Sequence, residues 1–128
     1  MATVPHKNKS HSGWWVFSEV LQWVSTRQTR LSANSCCPVW ENTRLLKAAN
    51  REDAYQKAIE LGQAGHPSKT DGGEWRFAGI SMLLPVYEKM EDGVEILWTE
   101  RGRLPVRSIK KLVKTKQQLP VFDDSIDA

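Results

Sequence analysis

The chain opens on a run of polar residues and then turns abruptly apolar. Residues 1–12 carry His6, Lys7, Lys9 and His11 without hydrophobic periodicity, the pattern of a disordered lead-in. From Trp14 to Val24 the residues are aromatic and β-branched, which predicts a strand. Alternation puts Trp15, Phe17, Leu21 and Trp23 on one face, with Glu19 the exception, and Trp14, Val16, Val20 and Val24 on the other. Two largely apolar faces mark a central or covered strand. Ser25–Ser35 is a polar loop, and Val39–Ala48 reads as a second strand, antiparallel to the first, with Pro38 tolerated at its start.

A helix follows. Asn50 suits the N-cap, Glu52 and Asp53 place acid in the first turn, and Ala54, Tyr55, Ala58, Ile59 and Leu61 form an apolar stripe. Gly62 or Gly65 is expected to close it in the left-handed conformation. Ser68–Gly73 reads as a turn cluster, and Glu74–Glu88 as a long extended run whose Gly79 and Pro85 predict a bulge, a bend or an edge position. Glu91-Asp92-Gly93 signals a hairpin returning through Val94–Thr99. Pro105 opens a last helix with Val106, Ile109, Leu112 and Val113 on its apolar side.

The order β-β-α-β-β-α predicts an α+β fold. A four-stranded, mainly antiparallel sheet carries the Arg51–Leu61 helix on one face. The basic, amphipathic C-terminal helix either covers the second face or reaches to a partner. Residues 13–118 are expected to form one domain, followed by an acidic tail over 119–128.

Composition narrows the function. The chain has 128 residues, which is one domain's worth, and its six Trp are expected to anchor the core. No stretch approaches the roughly 20 apolar residues of a membrane-spanning helix, and the N-terminus lacks the apolar core of a secretory signal, so a cytoplasmic protein is expected. Cys36 and Cys37 are adjacent and suit neither a bridge with each other nor a CxxC redox motif. Too few His and Cys exist for a zinc site, and no phosphate-binding glycine loop is present. No metal and no cofactor is expected. His66 lacks a partner in any triad motif, so no catalytic residue is assigned and a non-enzymatic protein is expected.

Three surfaces remain. Trp40 with Glu41, and Tyr87 with Glu88, would bind a cationic or sugar-like ligand if they shared a pocket, although alternation turns each Glu away from its neighbouring ring. Net charge is +3, but Arg101–Gln118 holds seven Lys or Arg and no acid. Arg103, Arg107, Lys110, Lys111 and Lys114 are therefore candidates for phosphate contacts with nucleic acid. The leading expectation is protein interaction, with a homodimer formed through apolar β surface that one small sheet cannot cover.

One resemblance adds to this. Trp14-Trp15, Val39-Trp40-Glu41, the run Lys47-Ala48-Ala49-Asn50-Arg51-Glu52-Asp53-Ala54-Tyr55-Gln56-Lys57-Ala58 up to Gly62, Trp75-Arg76-Phe77-Ala78-Gly79 and Val86-Tyr87-Glu88 occur in that order. Over residues 14–88 the chain resembles a bacterial family known as domain of unknown function 4288. The resemblance implies a small α+β domain; it implies no activity and no functional residue.

Overall fold

The computed structural model describes residues 3–28 and 30–125. Met1 and Ala2 of the lead-in, Thr29 of the polar loop and Asp127 of the acidic end lie outside the described residues. The chain divides between Trp98 and Thr99 into two compact units, inside the span expected to form one domain.

The first unit is built around β1 (Trp14–Ser25). It pairs antiparallel with β2 (Val39–Lys47) on one side and β4 (Gly73–Pro85) on the other, and β4 pairs with the short β3 (Ser68–Thr70). The sheet order is β2-β1-β4-β3, so the strand with two apolar faces is central. Helix α1 (Arg51–Ala64) lies between β2 and β3 in sequence. It buries Ala54 and Ala58 against Trp15, Phe17 and Leu46, with Leu61, Ile80 and Leu83 packed at the margin. Full burial of a side chain such as Phe17 stabilises the fold by roughly 1.5–3 kcal/mol. Small residues on α1 let the helix approach the large rings of β1 closely.

The helix starts where its cap predicts. Asn50 Oδ1 accepts a hydrogen bond from the Asp53 amide at 2.8 Å, satisfying one of the free first-turn donors. Its end differs from expectation. Gly65 caps it with φ −87°, in the right-handed region, and Gly62 lies inside the helix. Gly62 is small for reasons of space: a Cβ there would overlap the Phe77 ring.

The order β-β-α-β-β-α holds, but the second hairpin is assembled from different residues than expected. Ser68–Thr70, read as part of a turn, is β3, turning through Asp71 and Gly72 into β4. Gly72 has φ +88°, a conformation the tight turn reserves for glycine. Val94–Thr99 forms no strand. The strand beside β4 is instead β3, which pairs with Gly73–Trp75 alone.

β4 carries two bulges. Its register with β1 passes from Met82 to Ile80 and from Gly79 to Phe77, leaving Ser81 and Ala78 unpaired with β1. The result is that Trp75, Phe77, Ile80 and Leu83, whose spacing is not that of a regular strand, oppose Trp23, Leu21, Glu19 and Phe17. Gly79, at φ +149°, supplies the backbone bend between the bulges.

The lead-in carries more structure than its composition predicts. His6–Asn8 form a 3-10 turn, the hydroxyls of Ser10 and Ser12 donate to the Val86 carbonyl, and the Tyr87 hydroxyl donates to the Lys7 carbonyl. Hydroxyls satisfying the backbone just beyond β4 offset the lack of apolar burial in this segment.

The second unit contains α2 (Val106–Leu112) and two 3-10 turns, Lys116–Gln118 and Pro120–Phe122. Pro105 is its N-cap rather than its first residue, and no residue of α2 is buried. Among the described residues no helix is long and apolar enough to cross a membrane.

Candidate functional site

β2 is an outer strand of the sheet, and its apolar side chains stand in solvent. Val39 is 57% exposed, Trp40 60% and Leu45 40%. Trp40 is opposite Leu21, on the face that carries α1, and its ring centre lies 5.0 Å from that of Trp75. Trp75 lies in turn 5.4 Å from Trp23, its cross-strand partner. Three of the six tryptophans thus form one tilted cluster across β2, β1 and β4, at a spacing where ring pairs add to simple burial. The cluster runs from half-buried Trp23 and Trp75 to exposed Trp40.

Toward the middle of the same face, Glu19 is buried at 3% exposure and accepts a hydrogen bond from Arg44 at 3.2 Å. The Arg44 guanidinium also lies over the Phe17 ring, 5.5 Å from its centre. The apparent exception to the apolar pattern of β1 is thus the carboxylate of a cross-strand ion pair. On the opposite face the Ser18 and Thr43 hydroxyls meet at 2.9 Å.

The fold keeps the two expected Trp/Glu and Tyr/Glu pairs apart. Trp40 is opposite Leu21, whereas Tyr87 follows Val86, whose amide bonds the Trp14 carbonyl. Leu21 and Trp14 are separated along β1 by about 23 Å at about 3.3 Å per residue. Glu41 is opposite Val20, on the face away from Trp40, and Glu88 is exposed. No common pocket holds Trp40, Glu41, Tyr87 and Glu88, because β4 runs the full length of the sheet between them.

His66 and Glu74 do share a cleft of about 310 Å³, with Gln63, Pro67, Arg76 and Phe77. Both are committed to local partners: His66 Nδ1 lies 2.9 Å from the Gly62 carbonyl, and Glu74 pairs with Arg76 at 2.8 Å. No Ser, Thr or Cys lines that cleft. Cys36 and Cys37 are free thiols in the loop before β2. Among the described residues, no three His, Cys, Asp or Glu gather as metal ligands.

In the second unit, Arg107, Lys110 and Lys111 lie on α2, while Arg103 precedes it and Lys114 follows. All five are exposed. Helical spacing sets Arg107, Lys110 and Lys111 on one side of α2, while Lys114 lies beyond its extended C-cap, Val113. Val106, Ile109, Leu112 and Val113 are exposed as well.

The sequence pattern singled out Trp40 but not its contact with Trp75, nor that of Trp75 with Trp23. That relation depends on which strands flank β1 and on both bulges of β4, and neither is written in local periodicity. A family described as Domain of unknown function (DUF4288) matches residues 14–98, the whole sheet and α1 together with the stretch that follows β4. No curated protein and no solved structure matches the chain.

Proposed function

The chain belongs to the DUF4288 family, and on that footing we propose that it is a non-enzymatic interaction module that self-associates through the apolar surface of β2. The observation that carries this reading is the exposure of Val39, Trp40 and Leu45 together on an outer strand of the sheet. Exposed apolar side chains gathered on one strand favour burial against another chain, and an aromatic anchor such as Trp40 is the kind of residue that dominates such contacts. The ion-paired Glu19 and the locally bonded His66 and Glu74 supply no free acid–base pair, which favours binding over catalysis.

Light scattering over a dilution series tests it. A dimer at micromolar concentration is expected, and Trp40→Ser should weaken it by at least about tenfold. A strict monomer throughout the series would overturn the reading.

A second reading rests on the exposed basic side chains Arg107, Lys110, Lys111 and Lys114: weak, salt-dependent contact with nucleic-acid phosphates. Nucleic acid co-purifying at low salt and lost at high salt would support it. Replacing Lys110, Lys111 and Lys114 with Glu should then abolish the binding; unchanged binding would remove this second reading.

A further inference from the structure

The backbone of β2 has a definite polarity. Trp23 N donates to Pro38 O at 2.9 Å and Ala48 N donates to Gly13 O at 3.0 Å, and the pairing with β1 runs without a bulge between them. In an antiparallel ladder, residues that exchange hydrogen bonds with a given neighbour alternate. The even-numbered residues of β2, from Pro38 to Ala48, therefore turn their N–H and C=O groups toward β1. Those of Val39, Glu41, Thr43, Leu45 and Lys47 point away from the sheet. The Lys47 carbonyl is taken by Lys57 Nζ at 2.9 Å. What remains free is a ladder face from Val39 to Leu45.

From this we infer that the partner at β2 is the β2 strand of a second copy, paired antiparallel about a twofold axis through Asn42. The inference rests on the self-association proposed above and adds its geometry. A twofold axis normal to the sheet keeps each face continuous, so only registers that oppose residues of the same face are allowed.

The side chains select among them. Centring on Asn42 sets Val39 against Leu45 of the second copy, Glu41 against Thr43, and Trp40 against Arg44. The last pair brings a guanidinium to an exposed indole. Moving the centre to Glu41 opposes two carboxylates, and moving it to Arg44 opposes two guanidinium groups. Centring on Thr43 sets Val39 against Lys47 and Leu45 against Glu41, and it would need the Lys47 carbonyl that Lys57 already holds. Centring on Trp40 opposes two indoles but sets Val39 against Glu41 and carries Leu45 past the end of the strand, so the Asn42 register is the one that sets Val39 against Leu45 and ends where the free ladder ends. The product is one continuous sheet of eight strands with both α1 helices on the same face.

Directly opposed residues that do not exchange hydrogen bonds have Cα atoms about 4.5 Å apart, close enough for a disulfide. The test uses the full chain with Cys36→Ser and Cys37→Ser, carrying either Asn42→Cys or Thr43→Cys. Asn42 is exposed, so its replacement leaves the core untouched. Mild oxidation should cross-link the Asn42→Cys protein into a covalent dimer well ahead of the Thr43→Cys protein. In a separate variant, Thr43→Pro removes an N–H that points away from β1, so circular dichroism should be unchanged while light scattering falls to the monomer mass.

Preferential cross-linking through Thr43→Cys would overturn the register. A dimer that survives Thr43→Pro, or that cross-links through neither cysteine, would overturn pairing at β2 while leaving self-association standing. A parent protein that scatters as a monomer at every concentration would overturn both.

Discussion

Arg44 Nη1 lies 3.2 Å from Glu19 Oε2 across the β1–β2 pair, tying a partly exposed guanidinium to a carboxylate buried in the central strand. The guanidinium also covers the Phe17 ring. Arg44→Ala would leave the Glu19 charge buried without its partner. A loss of about 1–2 kcal/mol is expected, below the roughly 3–5 kcal/mol for a fully buried pair, because water can reach the carboxylate once the arginine is gone. Urea unfolding at dilute protein measures it. Glu19→Gln, which keeps an acceptor for Arg44, should cost less than Arg44→Ala.

Three glycines should respond differently to alanine. At Gly73 a Cβ would meet the Val24 carbonyl oxygen and lie 2.8 Å from Trp23 Cζ2, and backbone cannot step aside. Gly73→Ala should cost at least about 2 kcal/mol, in the range of severe overpacking. At Gly62 the obstacle is the Phe77 ring, and the helical preference for alanine offsets about 1 kcal/mol of the clash, so a smaller loss is expected. At Gly65 the nearest atom is the Leu61 carbonyl oxygen at 3.9 Å and φ is −87°. Gly65→Ala should therefore be neutral or stabilise by about 0.5 kcal/mol through the unfolded chain. Thermal melts of the three variants check the order.

Asn50→Ala removes the hydrogen bond to the Asp53 amide and should cost about 1 kcal/mol. Asn50→Ser keeps an acceptor without setting a second carboxylate against that of Asp53, to which the Asn50 amide donates at 3.2 Å, and should restore most of that loss. Parallel denaturation curves with unchanged slope would show that only stability had changed.

The tryptophan cluster separates folding from association. Trp75 is the middle ring, so Trp75→Ala breaks both ring contacts and should cost about 3 kcal/mol or more. Trp40 is 60% exposed, so Trp40→Ser should change stability by less than about 1 kcal/mol while weakening the dimer. Chemical denaturation of both variants beside light scattering would reveal whether the two effects divide this way.

Elements whose local chemistry agrees with their final surroundings were legible in the sequence. Asn50, the acidic first turn and the alanine stripe specify α1 without reference to anything else. The two apolar faces of β1 likewise announce a central strand. β3 was hidden because Ser68, Lys69 and Thr70 are polar and exposed, so its pairing with β4 leaves no hydrophobic trace. Val94–Thr99 erred the other way, with strand-like composition but no strand formed. The surface around Trp40 was half legible: the residue stood out, but its ring neighbours come from strands whose order no local pattern states. Tyr87 and Glu88 shared the chemistry expected of a site with Trp40 and Glu41 and were separated by the length of the sheet.

The unequal lengths of β1 and β4 have a mechanical consequence. Trp15–Ser25 of β1 is matched to the longer Gly73–Pro85 of β4, with Ala78 and Ser81 as the surplus. At about 3.3 Å per residue, that surplus is about 7 Å of extra contour on one side of a ladder whose rungs are nearly constant in length. A bimetallic strip bends for the same reason, since two bonded layers of different length cannot both lie flat. The curvature of this sheet is thus stored in chain length rather than in any particular side chain. Removing both surplus residues should straighten β4 and draw Phe77 and Ile80 away from α1, even though every remaining amino acid kept its partner.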